Sequence, residues 1–404
     1  MAERLPRLRA TLEFMPSPVE GRPGLLIRDP FHYSDATLII PPGLLEALQW
    51  FDGEHTELDL REYFVRLTGD LRVGELQQHL VRSLSEAGFL ENEVFEALRD
   101  QRHREFAQAA RREPTHAGSA YPSDPAALAS TLAEWLDRAP PPPSGDLAGI
   151  AAPHVSPEGG RHCYAAAYRA ATPPYQDRVF VILGTSHFGD PERFGLTAKN
   201  YVTPLGEART ERPLVEWLAE RGGSAVRLED YCHAIEHSIE FQVAFLQHLY
   251  GAGVRVLPLL CGPFARSIQE RGRPEQDAGV ERFLGVLGEL AARDSGRLFW
   301  VLGVDMAHVG QRYGDAFPAR TGQAEMRTVE EIDRQRIDRI VAGDPAGFWE
   351  ALCEDRDPVR WCGASVFYTF LKAVPQARGE LLRYEQWNID EASVVSFGAL
   401  AFTQ

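Results

Sequence analysis

Three short apolar runs in this 404-residue chain each end in a turn carrying side chains able to bind a metal or move a proton. Ala151-Ala152-Pro153-His154 closes the first, Gly184-Thr185-Ser186-His187 the second, and Gly303-Val304-Asp305-Met306-Ala307-His308 the third. A lone histidine is more often a hydrogen-bonded structural residue than a ligand. Histidines after three separate runs point instead to convergence, because open α/β sheets assemble their sites beyond the carboxyl ends of the strands. Neutral imidazole ligates iron, zinc and copper, so His154 and His187 plus one anionic group would make a facial site with open positions. Two residues compete for the anionic place. Asp305 would complete a two-histidine, one-carboxylate set of the non-haem iron type. Cys362, in Trp361-Cys362-Gly363-Ala364 at an expected helix start, would offer a thiolate favoured by the helix dipole, although a lone cysteine is more often buried and inert. His308 is suited to general acid or base work.

A rival constellation is His233-Ala234-Ile235-Glu236-His237, which fits the H-x-x-E-H pattern of inverted zinc peptidases. There the two histidines would share one helical face, with Glu236 as general base. The downstream glutamate ligand of such enzymes has no obvious counterpart, and His233 in a surface loop is the plainer reading. No G-x-S-x-G elbow, Gly-rich phosphate loop or dinucleotide fingerprint is present.

The elements that would carry these residues alternate regularly. Apolar runs at 147–152, 179–183, 254–260 and 298–303 are interleaved with helical patterns at 164–171, 214–221, 236–250, 279–292, 325–341 and 362–373. This predicts an α/β domain, a central largely parallel sheet flanked by helices on both faces. The β-type run at 382–402 would complete the sheet.

Before it, residues 1–20 read as an irregular arm. Short strands are expected at 24–29 and 36–40, and helices at 43–51, 56–67 and 73–87, with a strand beginning at Phe89. That is a small α+β, winged-helix-like domain over residues 1–95. Residues 96–116 form a charged helical connector, a solvated helix whose charges need no functional explanation. The proline-rich stretch 139–145 is a surface linker.

The 58 acidic against 42 basic residues, net charge −16, argue against nucleic acid or an anionic membrane as partner. No signal-peptide pattern and no membrane-length apolar run is visible, and the five cysteines show no CxxC spacing, so a cytoplasmic protein is expected.

The order of motifs AGSAYP (117–122), AAPH (151–154), ILGTSH (182–187), TPLG (203–206), EHSIEFQVAFLQ (236–247), LPLLCG (257–262), GVDMAHVG (303–310), WCGAS (361–365) and SVVSFGALAF (393–402) resembles the Memo-like family, also called AmmeMemoRadiSam system protein B. The match covers residues 117–404. The resemblance implies the fold of the class III extradiol (LigB-like) dioxygenases. Residue by residue it implies His154, His187 and Cys362 as metal ligands, which raises Cys362 above Asp305. Asp305 and His308 fall on the acidic and histidine positions of the family's S-D-x-x-H motif and His237 on the histidine of its E-H-S-I-E motif, which implies all three as catalytic acid/base or supporting residues. Fe(II) is the expected metal, with copper or zinc as alternatives, and an AMMECR1-like protein and a radical SAM protein are the implied partners. Three departures concern the pocket: APHVSP in place of A-P-H-A-G-Y, Phe188 in place of a second histidine, and Cys362-Gly363-Ala364-Ser365 in place of C-G-R-H. Residues 24–95 resemble PqqD-type peptide-recognition domains, which implies a peptide substrate held there. The expected function is therefore a metal-dependent redox enzyme. A non-catalytic peptide- or protein-binding module and the zinc peptidase are its alternatives.

Overall fold

The computed structural model describes residues 3–139, 146–172 and 175–404; the expected linker beyond Ala139 lies outside them. The chain divides into two compact units, Met1–Gln108 and Ala109–Gln404.

In the first unit, Glu13–Pro16 pairs antiparallel with Leu25–Arg28, which pairs with Thr37–Ile40. The expected irregular arm is thus part of the fold: Leu5 and Leu12 are buried in its core, and Arg9 is buried against Asp29 at 3.0 Å. A buried guanidinium needs such a partner. The α-helix expected at 43–51 is instead two 3-10 turns, Pro42–Leu44 and Glu46–Trp50. Glu57–Thr68 starts as its sequence dictates, with Thr56 and Asp59 capping each other reciprocally. Gly74–Glu86 and Glu93–Gln108 follow. The charged helix therefore ends at Gln108, and Arg111–Arg112 is a short strand of the second unit.

The second unit is built on a twelve-stranded sheet whose centre is parallel. Leu298–Gly303 lies between Leu147–Ala152 and Val179–Thr185, and Arg255–Cys261 follows on the far side of Val179–Thr185. Alternation along these strands sends Val179, Val181, Leu183, Trp300 and Leu302 to one core, and Phe180, Ile182, Phe299 and Val301 to the other. Both faces are thus covered, as buried parallel strands require, and each fully buried large apolar side chain contributes about 1.5–3 kcal/mol. Ala278–Arg293, Ala324–Val341 and Ala364–Ala373 pack on the first face; Pro157–Ala170 and Glu240–Tyr250 pack on the second. The C-terminal hairpin, Arg378–Asp390 with Ser393–Thr403, adds its second strand antiparallel to Leu147–Ala152. No helix among the described residues is long and apolar enough to cross a membrane.

Register decides where the chemistry falls. Gly303 pairs with Ala152 on one side and Gly184 on the other, so the three chemistry-bearing turns leave the sheet at one edge, side by side. The backbones above that edge approach closely at Gly303, where an added Cβ would stand 2.3 Å from the Ser238 carbonyl oxygen and 3.0 Å from Gln242 Nε2. Gly303→Ala should lower the unfolding free energy by about 1–3 kcal/mol in urea titrations, since overpacking forces the backbone apart. Gly285→Ala, with open space around its Cβ on the helix Ala278–Arg293, should raise it by about 0.5–1 kcal/mol.

Candidate metal centre

The three imidazoles of His154, His187 and His237 converge, each offering a ligand atom within 4.8 Å of the others. His187 and His237 stack with ring centroids 5.0 Å apart, and His154 stands edge-on to both at 4.9 and 5.3 Å.

Two of the rings are held from behind by hydrogen bonds, and the third lies against the same carboxylate as one of them. His154 is buried, and its Nδ1 lies 2.9 Å from the Gly303 carbonyl, which can only accept, so Nδ1 carries the proton and Nε2 the lone pair. His187 Nδ1 donates to the Glu236 carboxylate at 3.1 Å, and His237 Nδ1 lies 3.1 Å from the same group. Metal-binding histidines are oriented by such acceptors.

Glu236 is fully buried. Its carboxylate accepts the backbone N–H groups of His187 and His237 at 2.8 Å and of Ser238 at 3.2 Å. Burial pushes its carboxyl up, but the His187 and His237 rings and these donors outweigh it and hold the group well below the ordinary range. Burial, then the charge of neighbouring His187, lowers His154 to about 3, leaving a neutral imidazole suited to ligation.

The sequence pattern suggested one helix over 236–250. The chain instead makes a single turn, Cys232–Ile235, then extends at Glu236 and resumes helix only at Glu240–Tyr250. That break turns the Glu236 side chain onto the N–H groups of His237 and Ser238, which follow it, and of His187. It also corrects the zinc peptidase reading, because His233 and His237 do not share a helical face. His233 is buried with Nδ1 at 2.6 Å from Tyr201 Oη and Nε2 at 3.0 Å from the Gly195 carbonyl, so neither nitrogen is available.

Of the other expected residues, Cys362 Sγ lies 3.3 Å from His154 Nε2 and Asp305 Oδ2 lies 3.6 Å from it. Asp305 also accepts the His154 backbone N–H at 3.0 Å. Burial raises its carboxyl to about 6, although His308 and the backbone donors of His154 and Val155 oppose it. Cys362 directly precedes Gly363, the N-cap of the helix Ala364–Ala373. Burial, then Asp305, pushes the thiol well above its ordinary value, so the fold alone favours the protonated form, in correction of the thiolate expected from a helix dipole. His308 turns its Nδ1 to the Met306 carbonyl at 3.1 Å and stands edge-on to Tyr313.

Two supporting residues escaped the sequence reading. Arg112, assigned to a solvated connector, is fully buried; it ion-pairs with Glu240 and donates to the carbonyls of His233 and Glu236 at 2.8 Å each. His116 shares Glu240, its Nδ1 at 3.0 Å, and its ring sits 5.6 Å from that of His237. A lone Arg-Arg pair ahead of a proline gives no periodic signal of burial. Burial pushes Glu240 up, but Arg112, His116 and Tyr121 hold it down to about 2. A folded-state value below the unfolded 4.5 means stability that is present above that pH and lost as the pH falls from 4.5 toward 2. Glu240→Gln should cost about 3–5 kcal/mol at neutral pH, the penalty for stranding buried Arg112, and flatten the acid limb of stability in urea unfolding across pH.

The sequence model of the family described as Memo-like protein matches residues 112–401. A MEMO1 family protein of Aquifex aeolicus (strain VF5) is 27% identical over 383 residues, covering 93% of this chain and 95% of its own. That share of this chain exceeds what residues 109–404 alone could supply, so the similarity runs into the first unit. A MEMO1 family protein of Thermococcus kodakarensis is 28% identical over 303 residues, 72% of this chain and 99% of its own. Protein MEMO1 of Danio rerio is 27% identical over 271 residues, 66% of this chain and 85% of its own. With more than two-thirds of its length matched by the family model, and the imidazole cluster lying within that span, the chain belongs to the Memo-like protein family.

Proposed function

We propose that this protein holds a transition-metal ion on His154, His187 and His237, with the Cys362 sulfur as a further donor, and that it is a redox enzyme acting on a small or peptide substrate. The supporting observation is the convergence of three imidazoles, two of them hydrogen-bonded to an acceptor and the third, His237, beside the Glu236 carboxylate at 3.1 Å. Such a donor set suits iron, copper or zinc, and Fe(II) is the metal we favour because the neighbouring Asp305 carboxylate completes the surroundings of a non-haem iron site. When bound there, the metal would supply Lewis acidity and one-electron chemistry.

The chain's own residues do the rest. Glu236 and the Gly303 carbonyl orient the rings. Asp305, its carboxyl raised to about 6 by burial, can hold or release a proton at Oδ2 beside His154. His308, lowered to about 4 by burial, stays neutral and can accept a proton. The wider proposal is that the second unit shares the class III extradiol dioxygenase architecture and works with an AMMECR1-like protein and a radical SAM protein. The first unit, read as winged-helix and PqqD-like, would present a peptide. A non-catalytic binding module using the same pocket is the second reading.

Protein purified anaerobically should carry about one equivalent of iron by mass spectrometry, and oxidation in air should change its spectrum. His187→Ala and His237→Ala should each reduce metal content at least tenfold, and Glu236→Gln should weaken metal affinity roughly 10–100-fold. Full retention of metal in both histidine variants would refute the ligand assignment; stoichiometric zinc with no redox response would favour the binding module.

A further inference from the structure

Beside the imidazole cluster, a cavity of about 420 Å³ opens between the turn at His187 and the loop preceding Cys362, and both residues line it. Its volume falls in the range of small-molecule sites. The walls are mainly apolar: Pro263, Ala265 and Ile268 offer the accessible surface, and the buried rings of Phe264 and Trp361 back it. Three charged residues border it: Arg356, Asp357 and Arg360.

Two of these charges are already spent. Asp357 Oδ1 is paired with buried Arg336 at 2.6 Å, and its Oδ2 accepts the Trp361 backbone N–H at 2.6 Å. Arg360 is paired with Asp315 and donates to the His308 carbonyl at 3.1 Å and the Pro358 carbonyl at 3.0 Å. Arg356 differs. Among the described residues no hydrogen bond or ion pair holds its guanidinium, which leaves one unneutralised positive charge beside an apolar cavity.

The backbone is arranged to put it there. Arg356, Asp357 and Arg360 all adopt left-handed conformations, with φ of 54°, 52° and 54°. Side-chain-bearing residues visit this region at an energetic penalty, and runs of such outliers persist where the surroundings over-determine them. Here the clamp of Asp357 between Arg336 and the Trp361 N–H does so.

From this geometry we infer that the cavity takes a small carboxylate with an apolar body, the carboxylate on Arg356 and the body against Pro263, Ala265 and Ile268, reaching toward His187 and Cys362. Guanidinium and carboxylate match in charge and planar geometry, and a neutral isostere would leave Arg356 unpaired. The inference rests on the metal-centre reading and deepens it by naming its substrate class, yet the carboxylate contact rests on Arg356, which lies outside the imidazole cluster.

Binding is measured by calorimetry on metal-free and iron-loaded full-length protein, with 3-phenylpropanoate and its neutral amide as probes. The acid should bind about tenfold or more tightly than the amide in both forms, the difference expected of one charge-assisted pair. Arg356→Ala should erase that preference while leaving the weak binding of the amide, and Ile268→Trp should weaken both by filling the cavity. Equal binding of acid and amide, a preference that survives Arg356→Ala, or no heat from either probe up to about 10 mM would overturn the inference. Loss of iron binding with the acid preference intact would refute the metal reading alone.

Discussion

The buried carboxylate of Glu236 is the constraint on which the centre depends. A carboxylate enclosed by protein is tolerable only if its lone pairs are used, and here three backbone N–H groups and the His187 imidazole use them, with the His237 ring beside it at 3.1 Å. Satisfying it fixes the turn after Val179–Thr185, breaks the helix that would otherwise run through residues 236–239, and sets two of the three rings. The third ring is fixed independently, by a main-chain carbonyl at the end of the central strand. Two different acceptors on two different elements therefore define one cluster.

Behind Glu236 lies a second enclosed carboxylate, Glu240, four residues on. It gathers Arg112, His116 and Tyr121, which fixes the first residues of the family's shared span against the loop carrying Glu236. Arg112 reaches past Glu240 to the main-chain carbonyls of His233 and Glu236, so the loop that carries the Glu236 carboxylate is tied to Glu240 in one polar assembly within an otherwise apolar interior. Such assemblies are costly when half-satisfied, which ties the order of the centre to residues well outside it.

Much of the architecture is readable from pattern alone. The runs 147–152 and 298–303 are strands with those limits, because buried parallel strands are short, continuous and apolar. That their turns end side by side follows from parallel register, which is why His154, His187 and Asp305 can be grouped before any coordinates exist. Periodicity fails where a local rule yields to a distant partner. Residues 236–239 keep a helical pattern, yet the demand of Glu236 for donors opens the helix. Arg112 looks like one more surface charge, and only Glu240, far along the chain, draws it inside. The arm at residues 1–20 lacks periodicity because strand pairing and the Arg9–Asp29 contact order it, not a regular apolar stripe. His237 enters the cluster through the same helix break, so its role as a third imidazole could not be separated from a catalytic one in sequence.

The C-terminal hairpin gives the molecule a timetable. Ser393–Thr403 covers one edge of Leu147–Ala152, and its partners precede it by some 250 residues. While the chain is being synthesised, that apolar strand must wait with one edge unpaired until residues 393–403 have emerged. Contacts spanning such separations form slowly, because closing a long loop precedes any reward. The strand that leads to His154 is therefore sealed long after it is made, and a nascent chain halted before the hairpin would expose an adhesive sheet edge beside an unfinished centre.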